Sequence, residues 1–98
     1  MTGIRFEWDE AKSRSNRRKH GVSFEEASQV FRDPLHVSVP DRVENGEQRW
    51  QTLGLSGDFA LLLVAHTVWE EGDTDVIRII SARRASRSER RRYESEKG

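Results

Sequence analysis

The stretch Phe59-Ala60-Leu61-Leu62-Leu63-Val64-Ala65-His66-Thr67-Val68-Trp69 is apolar at odd and even positions alike, which predicts a central strand covered on both faces. Around it the pattern is β from Leu35 onward. Strands are expected over Leu35–Val39, about Glu47–Leu55, Phe59–Trp69 and Val76–Arg83. The turn clusters between them, Asn45-Gly46, Ser56-Gly57-Asp58 and Glu70-Glu71-Gly72-Asp73, lie at the short spacing of antiparallel hairpins. At eleven residues the central stretch is far shorter than the ~20 that a spanning helix requires, so no membrane segment is expected.

Upstream of the strands the period becomes helical. Ile4-Arg5-Phe6-Glu7-Trp8 alternates and reads as a short strand or an extended lead-in. Asp9 is a good N-cap and Gly21 a good stop, so a helix is expected over about residues 10–20, closing on Arg17-Arg18-Lys19-His20. Ser23-Phe24-Glu25-Glu26 has capping-box spacing. Phe24, Ala27, Val30 and Phe31 follow on one helical face until Asp33-Pro34. Ser86-Arg87-Ser88-Glu89 has the same spacing and opens a basic helix running to about Glu96. The expectation is one α+β domain over residues 1–98: an antiparallel sheet of about four strands, two helices before it and one after.

Composition narrows the function classes. The 98 residues include 17 Lys+Arg, 17 Asp+Glu and no cysteine, with a mean hydropathy of -0.86. Disulfides, thiolate metal sites and cysteine nucleophiles are excluded, which suits a reducing cytoplasm. The N-terminus lacks the apolar core of a signal peptide. Leu, Ile, Val and Phe together number 22 of 98, just above the roughly 20% below which disorder is expected, so the core is small. The zero net charge is a cancellation. Residues 34–77 carry 2 basic and 8 acidic side chains, and residues 78–98 carry 8 basic and 3 acidic. Such asymmetry suggests opposed surfaces for different partners.

The chemical features are few. Arg78, Arg83 and Arg84, followed by Arg87 and Arg90-Arg91-Arg92, offer bidentate donors suited to phosphate. The alternative is a solvated basic helix with pairs such as Glu89 to Arg92 or Tyr93. Arg78, lodged between apolar neighbours, calls for a partner. Tyr93, the only tyrosine, is a possible proton donor or a packing residue. His66 interrupts the most apolar strand, where a hydrogen-bonded core histidine is the commoner outcome. His20 has a sufficient explanation in the helix dipole, and its neighbour Lys19 in solvation. The histidines at 20, 36 and 66 lack metal-ligand spacing, so no metal or cofactor is expected. Neither a nucleophile elbow nor a Gly-rich phosphate loop is present, Gly54 and Gly57 being assigned to a hairpin. Arginine, histidine and tyrosine on a small sheet suit metal-free RNA cleavage by 2′-OH attack on the adjacent phosphate. Two rival readings are a non-catalytic nucleic-acid-binding module and a protein-interaction module.

Phe6-Glu7-Trp8-Asp9, Lys19-His20-Gly21-Val22-Ser23-Phe24-Glu25-Glu26-Ala27, Asp33-Pro34, Gly46-Glu47-x-Arg49 and Arg78-Ile79-Ile80-Ser81-Ala82-Arg83, with Glu89 and Tyr93, resemble the BrnT toxins. These are the ribonuclease halves of bacterial type II toxin–antitoxin pairs. The resemblance covers about Ile4 to Glu94. It implies a RelE-like fold, metal-independent endoribonuclease action that arrests translation and growth, and a BrnA-type antitoxin partner. Operator DNA would be bound only through the antitoxin complex. Carried onto this sequence, Arg49 and Arg83 are the candidates for transition-state charge, and His66 or Tyr93 for proton transfer. Lys19, His20, Arg78 and Arg84 would hold RNA. Whether His66 looks toward Arg83 or Arg78 turns on strand register, and a slip of one residue reverses the answer.

Overall fold

Asp9 and Gly21 bound the first helix where local chemistry puts them. In the computed structural model, which describes residues 3–57 and 60–97, the Asp9 carboxylate accepts from the amides of Ala11 and Lys12. Gly21 takes the left-handed conformation (φ 75°) that closes α1, Glu10–His20. The Ser23–Glu26 capping box forms in full and starts α2, Phe24–Ser28, which tightens into a 3-10 turn over Gln29–Arg32. The second box also forms. The Glu89 amide donates to Ser86 Oγ and the Ser86 amide to Glu89 Oε1, opening α3, Arg87–Lys97.

The sheet has five strands, one more than expected, in the order β1-β5-β4-β3-β2. They are β1 Gly3–Glu7, β2 Val37–Glu44, β3 Glu47–Leu55, β4 Leu61–Glu71 and β5 Thr74–Arg84. The addition is the alternating segment at the N-terminus, and β1 runs parallel to β5, with Gly3 opposite Thr74 and Glu7 opposite Arg78. The sheet is therefore mixed. Hairpin chemistry marks the antiparallel pairs, whereas a parallel partner some seventy residues away leaves no local mark. Asn45 and Gly46, both at positive φ (53° and 77°), make the β2–β3 turn. Strand β2 begins two residues later than expected and runs on to Glu44, because the Leu35 amide is taken by Asp33 Oδ1 in a turn. Phe59, the expected start of β4, and Asp58 of the preceding turn lie outside the described residues.

The two faces of β4 bury different layers. Leu62 and Val64, with Ile77, Ile79 and Ala82 of β5, pack against Val22, Phe24, Ala27 and Val30. Leu61 and Leu63, with Leu53 of β3, pack against Tyr93 of α3 on the other face. Each fully buried Val, Leu, Ile or Phe among them contributes about 1.5–3 kcal/mol. Gly54 sits inside β3 rather than in a hairpin. A Cβ there would stand 2.6 Å from Val30 Cγ1 and 2.9 Å from the Val30 carbonyl oxygen, so glycine lets the 3-10 turn lie directly on the sheet. Beyond the end of β1, the edge of β5 is closed by a side chain. Asn16 donates Nδ2 to the carbonyls of Val22 and Ala82 (2.8 Å each) and accepts the Ala82 amide at Oδ1 (3.2 Å). Among the described residues no helix is long and apolar enough to cross a membrane.

Candidate functional site

Alternation along the strands fixes which side chains can meet. On the face that carries Leu53, Leu61 and Leu63, the next residues along the strands are Arg49 and Gln51 on β3, Ala65 on β4, and Ser81 and Arg83 on β5. They line a groove of about 400 Å³, closed at one end by His20 from the C-terminus of α1 and at the other by Asp41 and Arg42 of β2. The β2 register shift between Pro40 and Val43 brings that last pair to the groove. Arg49, Arg83 and His20, three of the eight residues singled out from the sequence, are thus brought together.

Both arginines are anchored by carboxylates. Arg83 donates Nη1 and Nη2 to the two oxygens of Glu89 (2.8 and 3.0 Å) and Nη1 also to the Arg84 carbonyl (3.2 Å). Two of its five N–H donors, the Nε–H and one on Nη2, are left for a ligand. Hydrogen bonds from Arg83, then from the Ser86 amide, outweigh burial and hold the Glu89 carboxyl down at about 2. Glu89 therefore pairs with Arg83, not with Arg92 or Tyr93. Arg49 Nη2 lies 2.9 Å from Glu44 Oε2, while its Nε is buried without a hydrogen-bond partner.

His66 is on the opposite face. A bulge between Ala65 and His66 pairs His66 with Ile79, whereas Arg83 lies beside Leu63 and Arg78 beside Thr67. The imidazole therefore faces neither arginine. It packs edge-on against Phe31 (4.9 Å between ring centroids), with Nε2 2.7 Å from Thr52 Oγ1, and Thr52 in turn bonds Ser38. Burial pushes its pKa down to about 4. The unfolded imidazole titrates near 6.5, so as pH falls the unfolded chain takes up a proton that the folded chain resists. Stability is expected to drop by about 2–3 kcal/mol between pH 7.5 and 4.5 from this group. Urea unfolding at both pH values measures it, and His66→Leu should flatten the slope.

Tyr93 is a packing residue, 3% exposed, whose hydroxyl donates to Asp33 Oδ2 at 2.6 Å. Burial and that bond raise its pKa to about 12, and Tyr93 is not among the residues that line the groove. Asp33 was legible only as a helix stop, yet it also accepts the amides of Leu35 and Leu55. Burial raises its carboxyl, and these bonds more than offset that, leaving it below its ordinary value. Tyr93→Phe is expected to cost about 1.5–3 kcal/mol in unfolding experiments and to leave RNA cleavage within a few-fold of wild type.

The other arginines and Lys19 are spread around the sheet. Arg78 is half exposed, 3.6 Å from Glu7 Oε1, which supplies the expected partner. Arg84 points away from Arg83, toward a small cleft beside Gly21 and Val22. Lys19 is exposed on α1 beside Asn16 and His20. Among the described residues no group of three or more His, Asp or Glu is placed to hold a metal ion. Gln51, Ser81, Asp41 and Arg42 line the groove without any local sequence signal.

The family model described as the ribonuclease toxin BrnT of type II toxin–antitoxin systems matches residues 8–89. This chain belongs to the BrnT family. Membership makes it a ribonuclease toxin, with RNA as its substrate and an antitoxin as its protein partner. The sequence matches no curated protein. Among solved structures, the BrnT ribonuclease toxin of Brucella abortus, seen in a 1.1 Å crystal structure, is similar in fold. It has a TM-score of 0.62 and 23% identity, covering 88% of this chain and all of that one. The BrnT-like architecture of three helices on a mixed sheet leaves the groove between the end of α1 and the β2 edge.

Proposed function

We propose that this BrnT-family toxin cleaves RNA endonucleolytically and without metal in the groove between His20, Arg49 and Arg83. The 2′-oxygen attacks the adjacent phosphorus, the P–O5′ bond breaks, and the products are a 2′,3′-cyclic phosphate and a 5′-hydroxyl. The 2′-OH proton leaves to a base and the 5′-oxygen receives one. His20, the only imidazole in the groove, is assigned one of these transfers. Arg49 and Arg83 meet the charge that grows on the non-bridging oxygens. Arg78 and Lys19 would hold flanking phosphates, while Arg84 points to the opposite side. His66 and Tyr93, the proton-transfer candidates of the sequence, serve the fold in this reading. The single observation behind it is the convergence of the Arg49 and Arg83 guanidinium groups and the His20 imidazole, with Arg42 at the rim, on an open sheet face.

The wider setting follows the family. A RelE-like site on an open sheet face, a BrnA-type antitoxin with a DNA-binding portion, repression of the shared operon through that complex, and growth arrest in the cytoplasm complete the proposal. The test is incubation of purified protein with RNA in EDTA. Cleavage leaving 5′-hydroxyl ends, reduced at least tenfold in His20→Ala, is expected. Cleavage abolished by the chelator would overturn the mechanism. Salt-sensitive binding without cleavage would favour a nucleic-acid-binding module instead.

A further inference from the structure

We infer that Trp69 is a stacking platform for a nucleobase of the bound RNA, flanking the scissile phosphate on the same sheet face as Arg49 and Arg83. The inference rests on the ribonuclease reading and adds to it a binding subsite.

Of the three tryptophans, two are accounted for elsewhere. Trp8 packs edge-on against Phe24 and donates to Glu10, and Trp50 lines an apolar cleft on the His66 face. Trp69 has the same parity as Ala65 and Thr67 along β4, so it stands on the groove side. Four residues separate it from Ala65 in the groove, or about 13 Å of strand. The ring is partly exposed and fixed in place. Its N–H donates to Glu71 Oε2 (2.9 Å), and the other Glu71 oxygen is held by Arg5 Nη2 (2.9 Å). With the N–H satisfied, what the indole still offers is its π face, which accepts any base. Holding it in one orientation beforehand lowers the entropy cost of binding.

The surface between platform and groove suits a connecting backbone. Arg78 lies across from Thr67, half exposed, with its contact to Glu7 a long one at 3.6 Å. Thr67 Oγ1 and Arg49 Nε are both buried polar atoms without a hydrogen-bond partner. Extending the Trp50–His66 register by one residue sets Arg49 opposite Thr67. Val76, fully buried, is the register partner of both Trp69 and Arg5, so the ring stands beside an apolar neighbour. The accessible row thus runs from the Arg49 guanidinium past the half-exposed Arg78 to the indole, cations for backbone phosphates leading to a ring for a base, as a single strand requires.

The experiment compares wild type, Trp69→Ala and Trp69→Phe on RNAs from a decamer down to a dinucleotide. Loss of one stacked base is expected to raise KM for the decamer roughly 5- to 100-fold with a much smaller change in kcat. That penalty should fade as the RNA shortens, and Trp69→Phe should recover most of it. A second measurement needs no cleavage. Intrinsic fluorescence of the wild type should be quenched by a 2′-O-methyl decamer, and the saturable part of the quench should vanish in Trp69→Phe. An unchanged decamer KM in Trp69→Ala, or an equal loss on all lengths, overturns the subsite. If wild type cleaves no RNA, the ribonuclease reading fails by itself. The quenching then decides the platform, and a quench that persists in Trp69→Phe refutes it.

Discussion

Replacing Arg83 with alanine is expected to lower the single-turnover rate of RNA cleavage by about 10²–10³-fold, the usual cost of deleting one donor aimed at developing charge. The size follows from geometry. Glu89 fixes the guanidinium by two parallel bonds, so the remaining donors face the groove already oriented when the phosphorane forms. Arg83→Lys keeps the charge and loses the fork, so it should recover only a fraction of the rate. Stability should change little, because the pair is substantially solvated, with 44% of the Arg83 side chain exposed. A rate within about threefold of wild type would place the reaction somewhere else on the molecule.

The largest stability effect belongs to a residue with no chemical role. Asn16→Ala removes three hydrogen bonds at once and strands the Val22 carbonyl and both backbone groups of Ala82 in a buried setting. At about 1–3 kcal/mol for each unmet group, a loss of about 3–5 kcal/mol is expected. That is a large share of the 5–15 kcal/mol typical of whole domains, and it should lower Tm by about 15 °C or more. Asn16→Asp is the sharper test. It keeps the acceptor for the Ala82 amide but sets a carboxylate against two carbonyl oxygens, so it should be at least as damaging. Calorimetry on both variants measures the effect, and a loss under 1 kcal/mol in either would contradict the account.

What could be read in the chain beforehand divides along a physical line. Asp9, Gly21, both capping boxes and the Asn45-Gly46 turn act within four residues, and each stands where sequence chemistry puts it. The helix α1 matches its expected span for that reason. The parallel seat of β1 and the edge-sealing by Asn16 join segments more than sixty residues apart, and neither segment carries a mark of the other. The candidate site shows the same division. Arg83 is recognisable as a phosphate ligand by type and Arg49 through the BrnT resemblance, but their meeting depends on strand register. Alternation along β4 settles the face of His66, and one bulge, with Ile80 as the extra residue on β5, turns Arg78 onto the face of Arg83 and away from the imidazole. His20 looked like a helix end. Only the tertiary arrangement turns that end over the groove.

The parallel pairing of β1 with β5 also has a consequence in time. As the chain is made, the strand at its start has no partner until residues 74–78 exist, and the groove lacks its Arg83 guanidinium until the end of β5 follows. The clamp on that guanidinium, Glu89, is later still. A ribosome synthesising this toxin therefore carries an unfinished groove until residue 89 has been added, since contacts so distant in sequence close last. The topology itself makes the first strand wait for the last before the groove can stand complete.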